Sequence, residues 1–286
     1  MVLALSAYAA EPTYPREISQ WQEVIVPPDS DKVAHAAWLF AANYSIHEWR
    51  VFTVDDQICA QLTTVKPAEQ PERPKFTPKA DQFVGASNST RFSRVEDGWL
   101  VGFNQGEFGG ALYWFSRDGK HNYKVSDHQV VDFFSLPGGL HAIEGLAHIL
   151  YSKGSVVRIA RSQSNARWQA TTITELAFAP YAVSVSRDNS MLITLSDSLA
   201  RVGENGTTST LLSDPPWAGL YPNSSVLSQD EKKLYIGMRE FVGEFDIPTK
   251  KLRLLIPSTQ FLNKLPQEDE RRIRDQVSGQ QGGAPK

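Results

Sequence analysis

Tyr181-Ala-Val-Ser-Val-Ser-Arg-Asp-Asn-Ser-Met-Leu-Ile-Thr-Leu-Ser-Asp-Ser-Leu-Ala-Arg-Val202 is the stretch on which the fold turns. Residues 181–185 and 191–195 are short apolar-rich runs on either side of Arg187-Asp188-Asn189, and 199–202 follow Ser196-Asp197. Successive side chains of a strand point to opposite faces, and Asp and Asn tolerate the left-handed backbone of a tight hairpin. The stretch therefore predicts three antiparallel strands in succession. Gly203-Glu204-Asn205-Gly206 and Thr210-Leu-Leu212 add a second turn and a fourth strand.

The same pattern recurs three times with a period of about 40 residues. One copy runs from Thr90 through the Asp97-Gly98 turn, Trp99-Leu-Val-Gly-Phe103 and Ala111-Leu-Tyr-Trp-Phe115 to Tyr123-Lys-Val125. Another runs from Val130 through Pro137-Gly138-Gly139, Leu140-His-Ala-Ile143 and Ser155-Val-Val-Arg-Ile159 to Thr171-Thr-Ile-Thr174. The last runs from Ser224 through Asp230-Glu231, Leu234-Tyr-Ile-Gly-Met238 and Phe241-Val-Gly-Glu-Phe245 to Leu252-Arg-Leu-Leu-Ile256. A weaker N-terminal copy is read as strands at Glu23-Val-Ile-Val26, Ala36-Ala-Trp-Leu-Phe40, Trp49-Arg-Val-Phe-Thr53 and Ile58-Cys-Ala-Gln-Leu62. Four antiparallel strands at this period make a propeller blade, so the expected fold is an all-β β-propeller of five four-stranded blades over residues 22–258. A four-blade core with an irregular β-rich N-terminal region, or a β-sandwich, are the rival architectures. The turns joining first to second strands, at Asp97-Gly98, Gly138-Gly139, Asp188-Asn189 and Asp230-Glu231, should share one face.

The repeated blade with its Asp-Gly and Asn-Gly hairpins resembles the WD40-like and YVTN-like bacterial propellers over residues 22–258. The Gly-His and Trp-Asp signatures of true WD40 repeats are missing, as is an Asp-box, so the resemblance implies an architecture and transfers no catalytic residue. Residues 66–80 carry Pro67, Pro71, Pro74 and Pro78 among charges, which predicts an extended, solvated insertion. Within 259–286, Pro266 followed by acids and then Arg271, Arg272 and Arg274 predicts a short C-terminal helix, with a disordered tail from Ser278.

Met1-Val-Leu-Ala-Leu-Ser-Ala7-Tyr8-Ala9 is a short apolar run ending in a small-x-small pattern, which makes 1–9 a signal peptide, possessing no basic leader, and places the mature protein in a periplasm or outside the cell. The net charge of -3 with interspersed signs gives no footprint for nucleic acid or an anionic membrane, and a monomer without membrane insertion is expected. The single Cys59 sits in an apolar run and reads as a buried structural thiol.

Loops between second and third strands share a face with the blade crossings, and loops on a rigid scaffold are free to carry function. They supply the candidate binding residues: Asn104, Gln105, Glu107 and Phe108 in a glycine-bracketed segment, then Glu144, Asp197, Arg239 and Glu240, joined by Trp217 and Tyr221 from a crossing. Aromatic and arginine anchors suit a protein or cell-envelope partner, engaged by an exported non-enzymatic binding protein, with inhibition or immunity as its role by analogy. The alternative is a lactonase-like hydrolase. It would hold calcium on a set such as Asn104, Glu107, Glu144 and Asp197, with Glu107 or Glu144 as the acid or base. No cofactor is otherwise implied: the histidines lack zinc spacing, and neither a Gly-x-Ser-x-Gly segment nor a phosphate loop is present.

Overall fold

The computed structural model describes residues 14–281 apart from 29, 67–71, 86–88 and 150. The expected signal peptide, residues 1–9, lies outside them, as does the end of the tail at 282–286. The elements are β1 (Gln22–Val24), α1 (Lys32–Asn43), β2 (Trp49–Val54), β3 (Gln57–Leu62), β4 (Lys79–Ala80) and β5 (Phe83–Val84). Then come β6 (Arg91–Val95), β7 (Gly98–Asn104), β8 (Gly110–Ser116), β9 (Asn122–Ser126), β10 (Val130–Leu136), β11 (Gly139–His148), β12 (Tyr151–Arg161) and β13 (Trp168–Leu176). The last are β14 (Pro180–Val185), β15 (Met191–Leu195), β16 (Ser198–Val202), β17 (Thr208–Ser213), β18 (Ser224–Leu227), β19 (Lys233–Gly237), β20 (Val242–Asp246), β21 (Lys251–Ile256) and α2 (Gln267–Gln281).

Four sheets are complete antiparallel blades in simple meander order: β6-β7-β8-β9, β10-β11-β12-β13, β14-β15-β16-β17 and β18-β19-β20-β21. Their first strands, β6, β10, β14 and β18, pack side by side, which makes them the inner strands of a propeller. Ser184 of β14 and Ser225 of β18 hydrogen-bond through their hydroxyls at 2.8 Å across that seam. The four inner hairpin turns fall on one face, as the repeat requires, and neighbouring turns touch there: the Arg187 amide donates to Glu231 at 2.8 Å.

Each interface between sheets buries its own apolar cluster. Leu100, Leu112, Val130, Ala142 and Val157 join the first two complete blades, Ile143, Val156, Met191 and Ile193 the next pair, and Leu192, Leu199, Leu234 and Phe245 the last. Full burial of each such side chain contributes roughly 1.5–3 kcal/mol, so the interfaces between sheets are where the fold gains its stability.

The N-terminal region departs from the expected fifth copy. Residues 36–40 are not a strand but the middle of α1, because Asp31 caps the helix by accepting from the Ala34 amide at 3.0 Å. Ala34, Ala36, Ala37, Ala41 and Ala42 then make it cheap to propagate. The expected strand at 23–26 becomes β1, which pairs in register Gln22↔Ile256 to Val24↔Leu254 on the outer edge of the last blade. Only β2 and β3 remain as a reduced fifth blade. β2 takes the inner position beside β18: the Val51 amide donates to Ser224 Oγ at 3.0 Å, and the Trp49 amide to Met238 O at 2.9 Å. Gly237 permits that approach, since a Cβ there would lie 2.5 Å from Trp49 O. Trp49 is fully buried among Tyr14, Trp21 and Phe261, all edge-on to its ring.

The insertion at 66–80 is more than a solvated connection. Its described end carries Phe76 and Ala80, and with Phe83 of β5 they cover Trp99, Phe103, Tyr113 and Phe115 on the open face of the β6–β9 blade. Helix α2 follows Pro266 as expected but runs through Gln281, past Ser278, with Ile273 buried. No helix among the described residues is long and apolar enough to cross a membrane. Cys59 is buried on β3, where burial, with Glu17 nearby, pushes its thiol up.

Candidate functional site

The loops joining second to third strands lie opposite the inner turns, and hydrogen bonds stitch them into an arc. At one end, Gly106 (φ 61) and Gly109 (φ 97) adopt left-handed backbone around Glu107 and Phe108. Asn104 Oδ1 accepts from the Gly106 amide at 3.0 Å and Gln129 donates to Gly106 O at 2.7 Å, so the loop is held from both sides. Phe108 is 74% exposed, and Gln105 is exposed beside it. Glu107 pairs with His148 of the next blade at 3.1 Å. The hairpin carrying His148 presents Ile149 and Tyr151 to solvent.

The arc continues through Ser152, whose hydroxyl meets Ser196 Oγ at 2.8 Å and accepts from the Ala179 amide at 2.9 Å. Asp197 is exposed and accepts from the Ser196 hydroxyl. The charge of Asp197 and the phenol of Tyr221 both act on Tyr181, whose hydroxyl burial pushes up. The Arg239 guanidinium sits 4.8 Å over the Tyr221 ring and donates to Asn43 O at 2.6 Å and Asn43 Oδ1 at 3.0 Å. That ties Tyr221 to the end of α1, where Tyr44 and Ile46 are exposed. Ile46, Ile149 and Tyr151 were not singled out by sequence. The signal was available as large apolar residues in loop positions.

Two sequence candidates are not surface residues. Trp217 is 1% exposed, and its indole donates to Leu195 O at 3.0 Å, so it is core between the last two blades. Glu240 is 1% exposed because α1 and residues 261–263 close over it, which the local sequence does not encode. Its backbone is over-determined: the amide donates to His47 O at 2.7 Å and the carbonyl accepts from Trp49 Nε1 at 2.9 Å, holding φ at 67. Burial pushes its carboxyl up, against hydrogen bonds from Ser45 and the Asn263 amide and the nearby His47.

The calcium set does not assemble. Glu144 is half-buried and accepts from Ser155 at 2.6 Å, Glu107 is engaged by His148, Asn104 caps its own loop, and Asp197 is held by Ser196. Among the described residues no three His, Cys, Asp or Glu side chains come together as a metal site would need. The inner strands carry charge of their own: Asp132 on β10 is pushed up by burial and pulled down by Arg91 on β6 and Arg50 on β2.

No known family profile matches the chain, and no curated protein sequence does. Among solved structures it is similar to a virginiamycin B lyase from Staphylococcus aureus in complex with quinupristin, at 14% identity over 60% of this chain and 58% of that one, TM-score 0.40. It is also similar to TolB from Acinetobacter baumannii, at 13% identity over 59% and 43%, TM-score 0.36. The extracellular domain of a one-component system from B. thetaiotaomicron is similar at 12% over 76% and 27%, TM-score 0.42. These are β-propellers. The chain spans 53–61% of the length of the first three structures it resembles. The blade topology described above, from the chain's own strand pairing, is what establishes the propeller fold.

Proposed function

We propose that the loop face is a protein-binding surface and the chain an exported binding protein of the WD40-like or YVTN-like propeller class, acting in a periplasm or outside the cell. The observation that carries this is the arc of exposed Tyr44, Ile46, Phe108, Ile149, Tyr151 and Tyr221 on one face. Large apolar side chains gathered on a rigid rim mark interaction sites, and aromatic and arginine side chains most often dominate interface energies. Two of the face's residues, Ile149 (φ 52) and Tyr221 (φ 50), hold left-handed backbone without being glycine. Such strain concentrates where function constrains the chain. The polar elements of the arc, Glu107 with His148 and Arg239 over Tyr221, would orient a partner.

The test compares capture from an envelope fraction of the source organism by three immobilised proteins: wild type, Phe108→Ser/Tyr151→Ser/Tyr221→Ser, and a turn-face control, Val54→Ser. A partner should be enriched by wild type and control and reduced about tenfold by the triple variant, a loss of roughly 1.4 kcal/mol. Equal capture by all three, or loss only in the control, would overturn the assignment. Turnover of a lactone or ester abolished by Glu107→Ala would replace it with a hydrolase.

A further inference from the structure

The inner strands of three blades bring charged side chains to the central channel of the ring: Arg50 on β2, Arg91 on β6 and Asp132 on β10. On β2, Trp49 and Val51 pack toward the last blade, so Arg50 between them points the other way, toward β6. Arg91 pairs in register with Gly102, where a Cβ would lie 2.5 Å from Val130 Cβ, so this end of the β6–β9 blade meets β10 just before Asp132. The register of β10 shifts between Val130 and Asp132. Phe133 then packs against the blade before, Val131 and Phe134 against the blade after, and Asp132 joins neither apolar cluster. The 66–80 insertion adds Arg73, whose guanidinium lies 5.7 Å from the ring centroid of Phe92, the chain neighbour of Arg91.

A solute can reach these groups: Arg50, Arg73 and Asp132 are exposed and Arg91 is half-buried. Burial is nonetheless the largest influence on Asp132 and Arg91, pushing the carboxyl up and the guanidinium down. Side chains that water reaches and protein surrounds belong to a channel wall, where charges are screened less than on an outer surface. Arg50 and Arg73 act on Arg91 with like charge, and Asp132 is the acid set against them. The acids nearest in the chain to Arg50 and Arg73 are engaged elsewhere: Glu48 accepts from Asn223 at 3.0 Å, and Glu72 pairs with Arg94. Three guanidinium groups against one carboxylate leave this stretch of the wall cationic.

We propose that the channel binds a small dianionic oxyanion between Arg50 and Arg91, with Arg73 beside them. A guanidinium offers paired N–H donors that match the oxygens of such an anion, and it keeps its charge in surroundings where an ammonium would lose its own. Arg50 and Arg91 come from different strands, so an anion between them offsets their mutual repulsion. Asp132 faces the same space and opposes the anion, which keeps binding reversible. The site is separate from the aromatic arc and does not depend on its reading as a protein-binding surface.

Calorimetric titration of the whole protein with inorganic phosphate, sulfate and acetate, at one pH and low ionic strength, tests the assignment. Phosphate and sulfate should bind saturably, and acetate, with a single charge, at least about tenfold more weakly. Arg50→Gln and Arg91→Gln should each weaken phosphate at least about tenfold, the loss expected for a charged hydrogen-bond donor. Asp132→Asn should bind phosphate more tightly than wild type, a gain that a misfolded variant does not give. Arg50→Gln and Asp132→Asn alter exposed side chains and remain as checks should Arg91→Gln not fold. The Phe108→Ser/Tyr151→Ser/Tyr221→Ser variant should bind phosphate as wild type does, so that failure of the arc and failure of the channel are read separately. Absence of saturable phosphate binding to wild type, equal affinity for phosphate and acetate, an affinity unmoved by Arg50→Gln, or weaker binding in Asp132→Asn would each overturn the proposal.

Discussion

The two faces of the ring are built on different principles. On the turn face a local motif recurs: Ser116-Arg-Asp118, Ser186-Arg-Asp188 and Ser228-Gln-Asp230 each fold so that the serine hydroxyl donates to the aspartate, at 2.7, 2.5 and 2.7 Å. The same carboxylate oxygen accepts the amide two residues on, at Lys120, Ser190 and Lys232, at 3.0–3.1 Å. The residue between is left-handed: Gly119, Asn189 and Glu231. Turns satisfied from within present little for another molecule to complete, and side chains such as Arg161, paired with Asp97 at 2.5 Å, pin one blade to the next. The loop face lacks this repeat among its described residues. Its loops hold one another across blades, and it exposes aromatic and aliphatic side chains. A repeat protein needs one face to fix its geometry, and the other is then free to vary.

The sharpest way to break that contrast is Trp217→Ala. If the loop face is a variable surface on a fixed core, the core beneath it must carry the stability. Removing a fully buried indole leaves a cavity and an unpaired Leu195 carbonyl, at an expected cost of about 3–5 kcal/mol, read by denaturant unfolding. A cost below about 1 kcal/mol would place Trp217 with the tolerant surface residues and undo the division between core and rim.

On the turn face, Asp188→Ala removes the acceptor of three hydrogen bonds and should cost on the order of 1 kcal/mol. The pH dependence has a definite sign. Hydrogen bonds from Ser186 and Ser190 hold the Asp188 carboxyl well below the usual carboxylate range. The folded state therefore binds the proton more weakly than the unfolded chain, whose Asp titrates near a pKa of about 3.9. The stabilisation is present above that value and fades as the pH falls below it. Wild type and Asp188→Ala should therefore differ at pH 7 and converge with acidification below about pH 4. A gap that widens in acid would show that the motif does not act through its ionised carboxylate.

How far sequence reached follows the same division. The four complete blades were legible because alternation and turn residues are local, and local signals set strand pairing where each strand meets its chain neighbour. The motif itself was equally legible as Ser-x-Asp at 116, 186 and 228, yet its turns were read only for their Asp-Gly and Asp-Asn content. What escaped was set by long-range packing. Residues 36–40 alternate well enough for a strand, and the Asp31 cap with its alanines decides for helix. Glu240 and Trp217 sit in loop positions, and only chain arriving from elsewhere buries them: α1 and residues 261–263 for the first, the β15 carbonyl and two blades for the second. The position of β1 against β21 likewise joins opposite ends of the propeller, which no window of neighbouring residues reports. Exposure of Phe108 at its loop tip needs nothing distant, whereas half-buried Arg239 is placed by its bonds to Asn43 at the far end of the chain.

The smallest expected effect sharpens the comparison most. Ile149 is 89% exposed and holds φ at 52. A β-branched residue is a true outlier there, at a cost of roughly 1–2 kcal/mol, and its exposed side chain returns almost nothing to the fold. Ile149→Gly relieves the strain but adds about 0.5–1 kcal/mol of unfolded-chain entropy. Strain relief exceeds that loss, so the variant should be more stable than wild type by about 0.5–1 kcal/mol. The turn-face counterpart runs the other way: Asn189 (φ 62) is in the same left-handed region, but Asn is suited to it and the motif around it is satisfied, so Asn189→Gly should change stability by only a few tenths of a kcal/mol. Thermal unfolding of the two glycine variants side by side checks this. A stabilised Ile149→Gly that also loses the captured partner would mean the strained side chain is kept for recognition. A destabilised one would mean that Ile149 supports its hairpin, and the loop face would then differ from the turn face in composition only.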